Sequence, residues 1–177
     1  SFPTRRCSDL AAADVARGQQ HLFLGHAGLG KSALRALVDG EARDRGFVVA
    51  RARAHGTRVP LRYDLVRQAI RSACLELASV SSDAATTTGS SWHAALASLA
   101  LSEPDRTRIA ALVDDVDAGP DDDIPLARRR ILLRGAIISF FGAVADRRGV
   151  CVLVDDVHKG EPSSLEVSAE VGARLHA

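Results

Sequence analysis

Gly25-His26-Ala27-Gly28-Leu29-Gly30-Lys31-Ser32 decides how this chain of 177 residues is read. The eight residues fulfil the pattern G-x-x-x-x-G-K-[ST], in which main-chain N–H groups curl around one point and cradle phosphate oxygens. The lysine is informative in itself. Only two lysines stand among the 23 basic side chains, the rest being arginine. Its presence at this position points to a need for a compact ammonium on a flexible stem.

The pattern has this meaning only between a strand and a helix, because the phosphate-binding amides belong to the helix's first turn. His21-Leu22-Phe23-Leu24 has the apolar character of a short buried parallel strand, and residues 32–38 continue with good helix formers at helical spacing. Gly40 weakens that helix and Gly46 is its expected end. On this reading Gly25, His26, Ala27, Gly28, Leu29, Gly30, Lys31 and Ser32 form a nucleotide-binding loop. Gly25, Gly28 and Gly30 free the backbone to bend where a Cβ would obstruct. Lys31 reaches the β- and γ-phosphates, and the Ser32 hydroxyl ligates Mg²⁺.

Val150-Cys151-Val152-Leu153-Val154 is an unbroken apolar run followed by Asp155-Asp156. It predicts a fully buried strand ending in two carboxylates, and ligands of open parallel sheets sit at the carboxyl ends of strands. Asp155 is the candidate magnesium ligand, acting through water, and Asp156 the candidate catalytic residue that orients or deprotonates an attacking water. Two adjacent acids after a strand also serve as an ordinary cap or turn. What favours function is their pairing with a phosphate loop, which requires such an element. Cys151, inside the strand, reads as a small hydrophobe.

At this point the chain resembles a known family. The loop at 25–32, the strand with its acid pair, and Val157-His158-Lys159-Gly160-Glu161-Pro162-Ser163-Ser164-Leu165-Glu166 are similar to the AAA-type, origin-recognition-complex-like ATPase modules and their STAND relatives. Such modules occur in large bacterial regulators, including LuxR-type transcription factors and fusions to adenylate cyclases or serine/threonine kinases. The family pattern D-D-x-H/Q-W-A-D-P-x-S-L is kept at Asp155, Asp156, His158, Pro162, Ser164 and Leu165, and departs from it at Lys159, Gly160 and Glu161. Pro60-Leu61-Arg62-Tyr63-Asp64-Leu65 resembles the family's segment after its second strand. The resemblance implies an α/β fold, a three-layer P-loop NTPase with a parallel sheet in the order 5-1-4-3-2 and the acid pair on strand three. It implies ATP and Mg²⁺ as cofactors, with hydrolysis driving a conformational switch. ATP over GTP rests on the resemblance alone, since no guanine-type N-K-x-D occurs. His158 either contacts the γ-phosphate region or packs beside the loop.

Composition limits other functions. A formal net charge of +1 gives no broad basic field, so direct nucleic-acid binding by this segment is disfavoured. Arg128-Arg129-Arg130 reads most simply as a solvated helix face, with an inter-subunit or phosphate role as the alternative. Cys7, Cys74 and Cys151 are too scattered for a metal site and fit a reducing cytosol. No stretch reads as a membrane span or signal peptide, which predicts a cytoplasmic protein with no membrane partner.

Residues 1–10, S-F-P-T-R-R-C-S-D-L, resemble a translated sequencing-adapter scar and are set apart from 11–177, read as a partial ATPase domain with a helical insertion at about 61–123. The absence of Met and the stop at Ala177 within a helical pattern fit a piece of a longer gene. The expected partners are then ATP and ADP and the effector domains of the parent chain, with homo-oligomer formation left open. Strand four of the family order is missing, which predicts exposed strand edges and a tendency of the isolated chain to aggregate.

Between the two halves of the site, residues 47–52 predict a second strand. Leu65, Val66, Ala69, Ile70, Ala73, Cys74 and Leu77 recur at helical spacing. Residues 79–91 predict a loop, and 92–101 and 105–116 short helices split by Glu103-Pro104. Asp114, Asp115, Asp117 and Asp121 to Asp123 predict a solvated acidic turn. Asp123 is the expected cap of a long helix running to about 146, whose Leu133, Ile137, Phe140, Phe141 and Val144 should pack on the sheet.

Two function classes compete with the switch module: a P-loop phosphotransferase that passes the γ-phosphate to a small molecule, and a scaffold that holds nucleotide without turnover. The second acid beside the magnesium ligand favours hydrolysis.

Overall fold

The computed structural model describes residue 26 and residues 30–56, 62–81, 92–116, 121 and 123–174. The elements run α1 (Lys31–Asp44), β1 (Val48–Arg53), α2 (Asp64–Ser81), α3 (Trp92–Ala97), α4 (Glu103–Asp114), α5 (Leu126–Arg147), β2 (Val150–Asp155), a 3₁₀ turn (Val157–Lys159) and α6 (Pro162–Arg174). The architecture is mixed α/β, mostly helical, around two parallel strands. The expected first strand and Gly25, Ala27, Gly28 and Leu29 lie outside the described residues.

Gly46 ends α1 as its position predicts. Its φ of 79° is left-handed, and its N–H donates to the Arg43 carbonyl while that of Phe47 donates to Ala42, the paired bonds of a Schellman turn. The chain then enters β1, shifted one residue from the predicted 47–52. β1 pairs with β2 in parallel, Val48 opposite Val150 and Arg53 opposite Asp155.

The two edges of this pair differ. Along the outer edge of β1, the Arg51 N–H donates to Ser72 Oγ at 3.0 Å, and the Arg53 N–H donates to Gln68 Oε1 at 3.0 Å. Gln68 Nε2 returns a bond to the Arg53 carbonyl at 3.1 Å, and Ser72 Oγ one to that of Val49 at 3.5 Å. Residues 68 and 72 are one turn apart on α2, so they meet main-chain groups two residues apart on the strand. These side chains take the place of a neighbouring strand. The other edge of β2 has no strand partner among the described residues, and Val152 is 38 % exposed. The expectation of a fully buried strand is corrected accordingly.

One face of β1 sends Arg51 to Asp39 of α1 through bonds of 2.6 and 2.8 Å. The opposite face, Val48, Ala50 and Ala52, enters the main core. There the predicted stripe of α2 is buried throughout, Leu65 to Leu77, together with Ile109 and Val113 of α4 and Ile137, Phe140, Phe141 and Val144 of α5. Burial pushes the Cys74 thiol up to about 12, which leaves it inert. Burial likewise raises the Cys151 thiol, with Asp39 adding to the effect.

Several expectations change. α5 touches β2 but packs chiefly on α4, while the short α3 packs on α2. Asp123 does not cap α5; Pro125 is the N-cap residue and no side chain accepts there. Pro104 sits within the first turn of α4, where a missing N–H costs nothing, and Ser102 caps that helix through the Asp105 N–H. Ser79 to Ser81 complete α2; residues 82–91 lie outside the described residues. Asp121 is not solvated but buried against Arg108 in a bidentate pair at 2.7 and 2.9 Å. Asp114 pairs with His93 and Asp115 with Arg67.

Hydrogen bonds from Arg51 hold the Asp39 carboxyl below its usual range against the opposing pull of burial, and Arg108 does the same for Asp121. A depressed folded-state pKa means that the unfolded chain takes up protons first as pH falls. The stabilisation is therefore complete above about pH 4 and is lost as pH drops through the lowered folded values. Thermal melts should show a plateau near neutrality and a decline below about pH 4. Asp39→Asn with Asp121→Asn should flatten that acid limb; an unchanged slope in the double variant would refute the assignment.

Candidate functional site

Gly30 turns the chain into α1 with φ 77° and ψ 15°, a left-handed conformation that a side chain would strain. A Cβ there would meet nothing within 4 Å, so backbone torsion, not crowding, asks for glycine. No side chain caps this helix end. The helix itself offers the first-turn N–H groups of Ser32 and Ala33 no acceptor, and its dipole makes the end favourable for an anion. Lys31 Nζ donates to the His26 carbonyl at 2.7 Å. Ser32 is exposed.

The contacts of α1 fix where this helix end stands. Asp39 binds Arg51, and one turn nearer the N-terminus Arg35 meets Asp155 Oδ2 at 3.4 Å, opposite Arg53 in the register. Helix and strand therefore run antiparallel. From residue 39 to 35 the helix covers about 6 Å, and from 51 to 53 the strand advances about 6.6 Å, so the two match. A further turn, about 6 Å, carries Lys31 past the last strand residues to the carboxyl end of the sheet. Arg35 and Lys31, four apart, share that face of the helix.

Asp155 closes β2, and its Oδ1 accepts the Asp156 N–H at 3.0 Å. Asp156 follows at φ 54°, a left-handed conformation uncommon outside glycine but tolerated by Asp. Its Oδ2 meets Arg53 at 3.3 Å and Lys159 at 3.5 Å. Burial works to raise this carboxyl, but Lys159 and Arg53 outweigh it and hold the group below the usual carboxylate range. His158 is exposed in the 3₁₀ turn.

The departures from the family pattern have their own packing. Glu161 is buried, and its two oxygens accept the N–H groups of Ser163, Ser164 and Tyr63 at 2.7, 2.6 and 2.7 Å. It caps α6 and ties that cap to the start of α2, where Tyr63 stands at φ 60°. At Gly160 a Cβ would come within 2.8 Å of Leu65 and 3.0 Å of the Val157 carbonyl, so the turn fits against α2 only without a side chain. Together these contacts fix the turn that follows the acid pair.

Of the predicted site residues, the structure brings Lys31, Ser32, Asp155 and Asp156 to one end of the sheet, with Gly30 at the entry to α1 and the His26 carbonyl on Lys31. The sequence reading missed Arg35 and Arg53. Arg35 was legible as the residue one turn beyond Lys31; Arg53 required the strand register. Three cations, Arg35, Arg53 and Lys159, thus stand against two carboxylates, with Lys31 one turn from Arg35 on α1. That excess of positive charge, with the first-turn amides of α1 at the same end of the sheet, fits an anionic ligand such as a polyphosphate. Comparison with known protein families, with curated proteins and with solved structures gives no match.

Proposed function

We propose that this chain is part of an ATP-binding module of a multidomain bacterial regulator, an incomplete three-layer P-loop NTPase core of the AAA and STAND kind whose nucleotide state switches its conformation. The observation that carries the reading is the antiparallel seating of α1, which brings the Gly30-Lys31-Ser32 turn and the Asp155-Asp156 pair to the same end of the sheet, bridged by Arg35. Lys31 and the first-turn amides of α1 would hold the β- and γ-phosphates, and Ser32 and Asp155 would hold Mg²⁺. When bound, the ion neutralises phosphate charge. Asp156 would take the proton of an attacking water or orient that water. The pairing of β1 with β2 agrees with the adjacency of strands two and three in the implied order. Among the described residues no helix is long and apolar enough to cross a membrane, and we place the protein in the cytoplasm.

A second reading, a scaffold that binds without turnover, is favoured by one observation: Asp156 is engaged by two cations that weaken it as a base.

Titration of the chain with Mg·ATP tests the binding claim. Saturable binding is expected, and Lys31→Ala should weaken it by roughly ten- to a hundredfold, the worth of about 1.5–3 kcal/mol of charge-assisted bonds. Absence of saturation, or equal affinity in the variant, would overturn the proposal. Phosphate release with and without candidate acceptors separates hydrolysis, transfer and binding alone.

A further inference from the structure

Arg53 and Lys159 converge on one oxygen. Asp156 Oδ2 accepts from Arg53 Nη2 at 3.3 Å and Nε at 3.4 Å, and Lys159 Nζ lies 3.5 Å away. Bonds between charged partners settle at about 2.7–2.9 Å, so all three contacts are slack. The two cationic side chains are 59 % and 45 % exposed.

Their bases, in contrast, are fixed. Both main-chain groups of Arg53 are bonded to Gln68. The Lys159 N–H donates to the Asp156 carbonyl at 2.8 Å, and its stem passes Gly56, where a Cβ would stand 3.7 Å from it. Two cations thus have anchored bases at the carboxyl ends of the two strands, with partly exposed heads sharing a single acceptor. Lys159 is also the second of the chain's two lysines, so both stand at this end of the sheet.

We infer that Arg53 and Lys159 read the terminal phosphate of the bound nucleotide, resting on Asp156 in its absence and moving to it in the triphosphate state. The inference rests on the nucleotide-binding reading above and names the residues that distinguish ATP from ADP. A terminal phosphate offers three acceptor oxygens and nearly two negative charges, whereas Asp156 offers one charge divided between two cations. The exchange favours the phosphate and at the same time uncovers the Asp156 carboxylate. A diphosphate lacks that group and leaves the pair where it is.

Calorimetric titration of the full chain with Mg·ADP and with the magnesium complex of a non-hydrolysable ATP analogue tests this. In Arg53→Ala and in Lys159→Ala the affinity for the analogue should fall about tenfold, and further in the double variant, while that for Mg·ADP stays within about twofold. Arg53→Lys should recover part of the loss, since it keeps the charge without the fork. An unchanged ratio of the two affinities, or an equal fall in both, would overturn the assignment. A parent chain that binds neither nucleotide would instead refute the binding reading and this inference with it.

Discussion

Asp156→Asn should leave Mg·ATP binding in place and lower phosphate release by about 10²–10⁴-fold, the usual contribution of a positioned proton acceptor. The substitution is nearly isosteric, and Asn tolerates the left-handed backbone found at φ 54°, so the turn should keep its shape. What disappears is the charge. Asp156 Oδ2 is shared by Arg53 and Lys159, whereas Oδ1 accepts no bond among the described residues. Phosphate release at saturating Mg·ATP, measured beside the binding isotherm, decides the matter. Undiminished release would remove Asp156 from the chemistry, and lost binding with lost release would make it a nucleotide-holding group.

Removing the Glu161 carboxylate should cost about 2–4 kcal/mol of folding stability, because three N–H donors lose their acceptors at once. Two of them, on Ser163 and Ser164, open α6, and the third, on Tyr63, precedes α2. Water cannot readily replace the carboxylate at a residue only 8 % exposed. Urea unfolding of Glu161→Ala followed by circular dichroism should show the midpoint falling with little change in slope. Glu161→Gln keeps one acceptor oxygen and should lose less. A midpoint equal to that of the parent chain would show that the cap contributes nothing.

What the sequence revealed about this molecule was mostly local. Gly46 announces the end of α1 because only a residue without a side chain enters that conformation freely, and the α2 stripe from Leu65 to Leu77 follows from the helical period. Both strands were visible as apolar runs. What stayed hidden depends on partners far away in the chain. Asp121 reads as one acid in a polar stretch until Arg108 is placed beside it, and Asp123 looks like a cap until Pro125 is seen to occupy that position. Glu161 reads as a departure from a pattern, yet its carboxylate serves donors on both sides of a helix junction. At the site, spacing alone marked the loop motif and the acid pair as candidates, but it could not mark the cations opposing the acids, since Arg53 meets Asp156 through a register that links residues about a hundred positions apart. Packing against α4 also drew α5 away from the strands, a competition for apolar surface that periodicity does not resolve.

Gln68 and Ser72 have a consequence for how copies of this chain can meet. With their side chains stoppering one rim of the strand pair, main-chain association between copies is directed, among the described residues, to the β2 rim. Exchanging both residues for alanine would strip that rim of its hydrogen-bond partners while leaving it covered by α2, so its main-chain groups would stand unsatisfied and the cost would fall on stability.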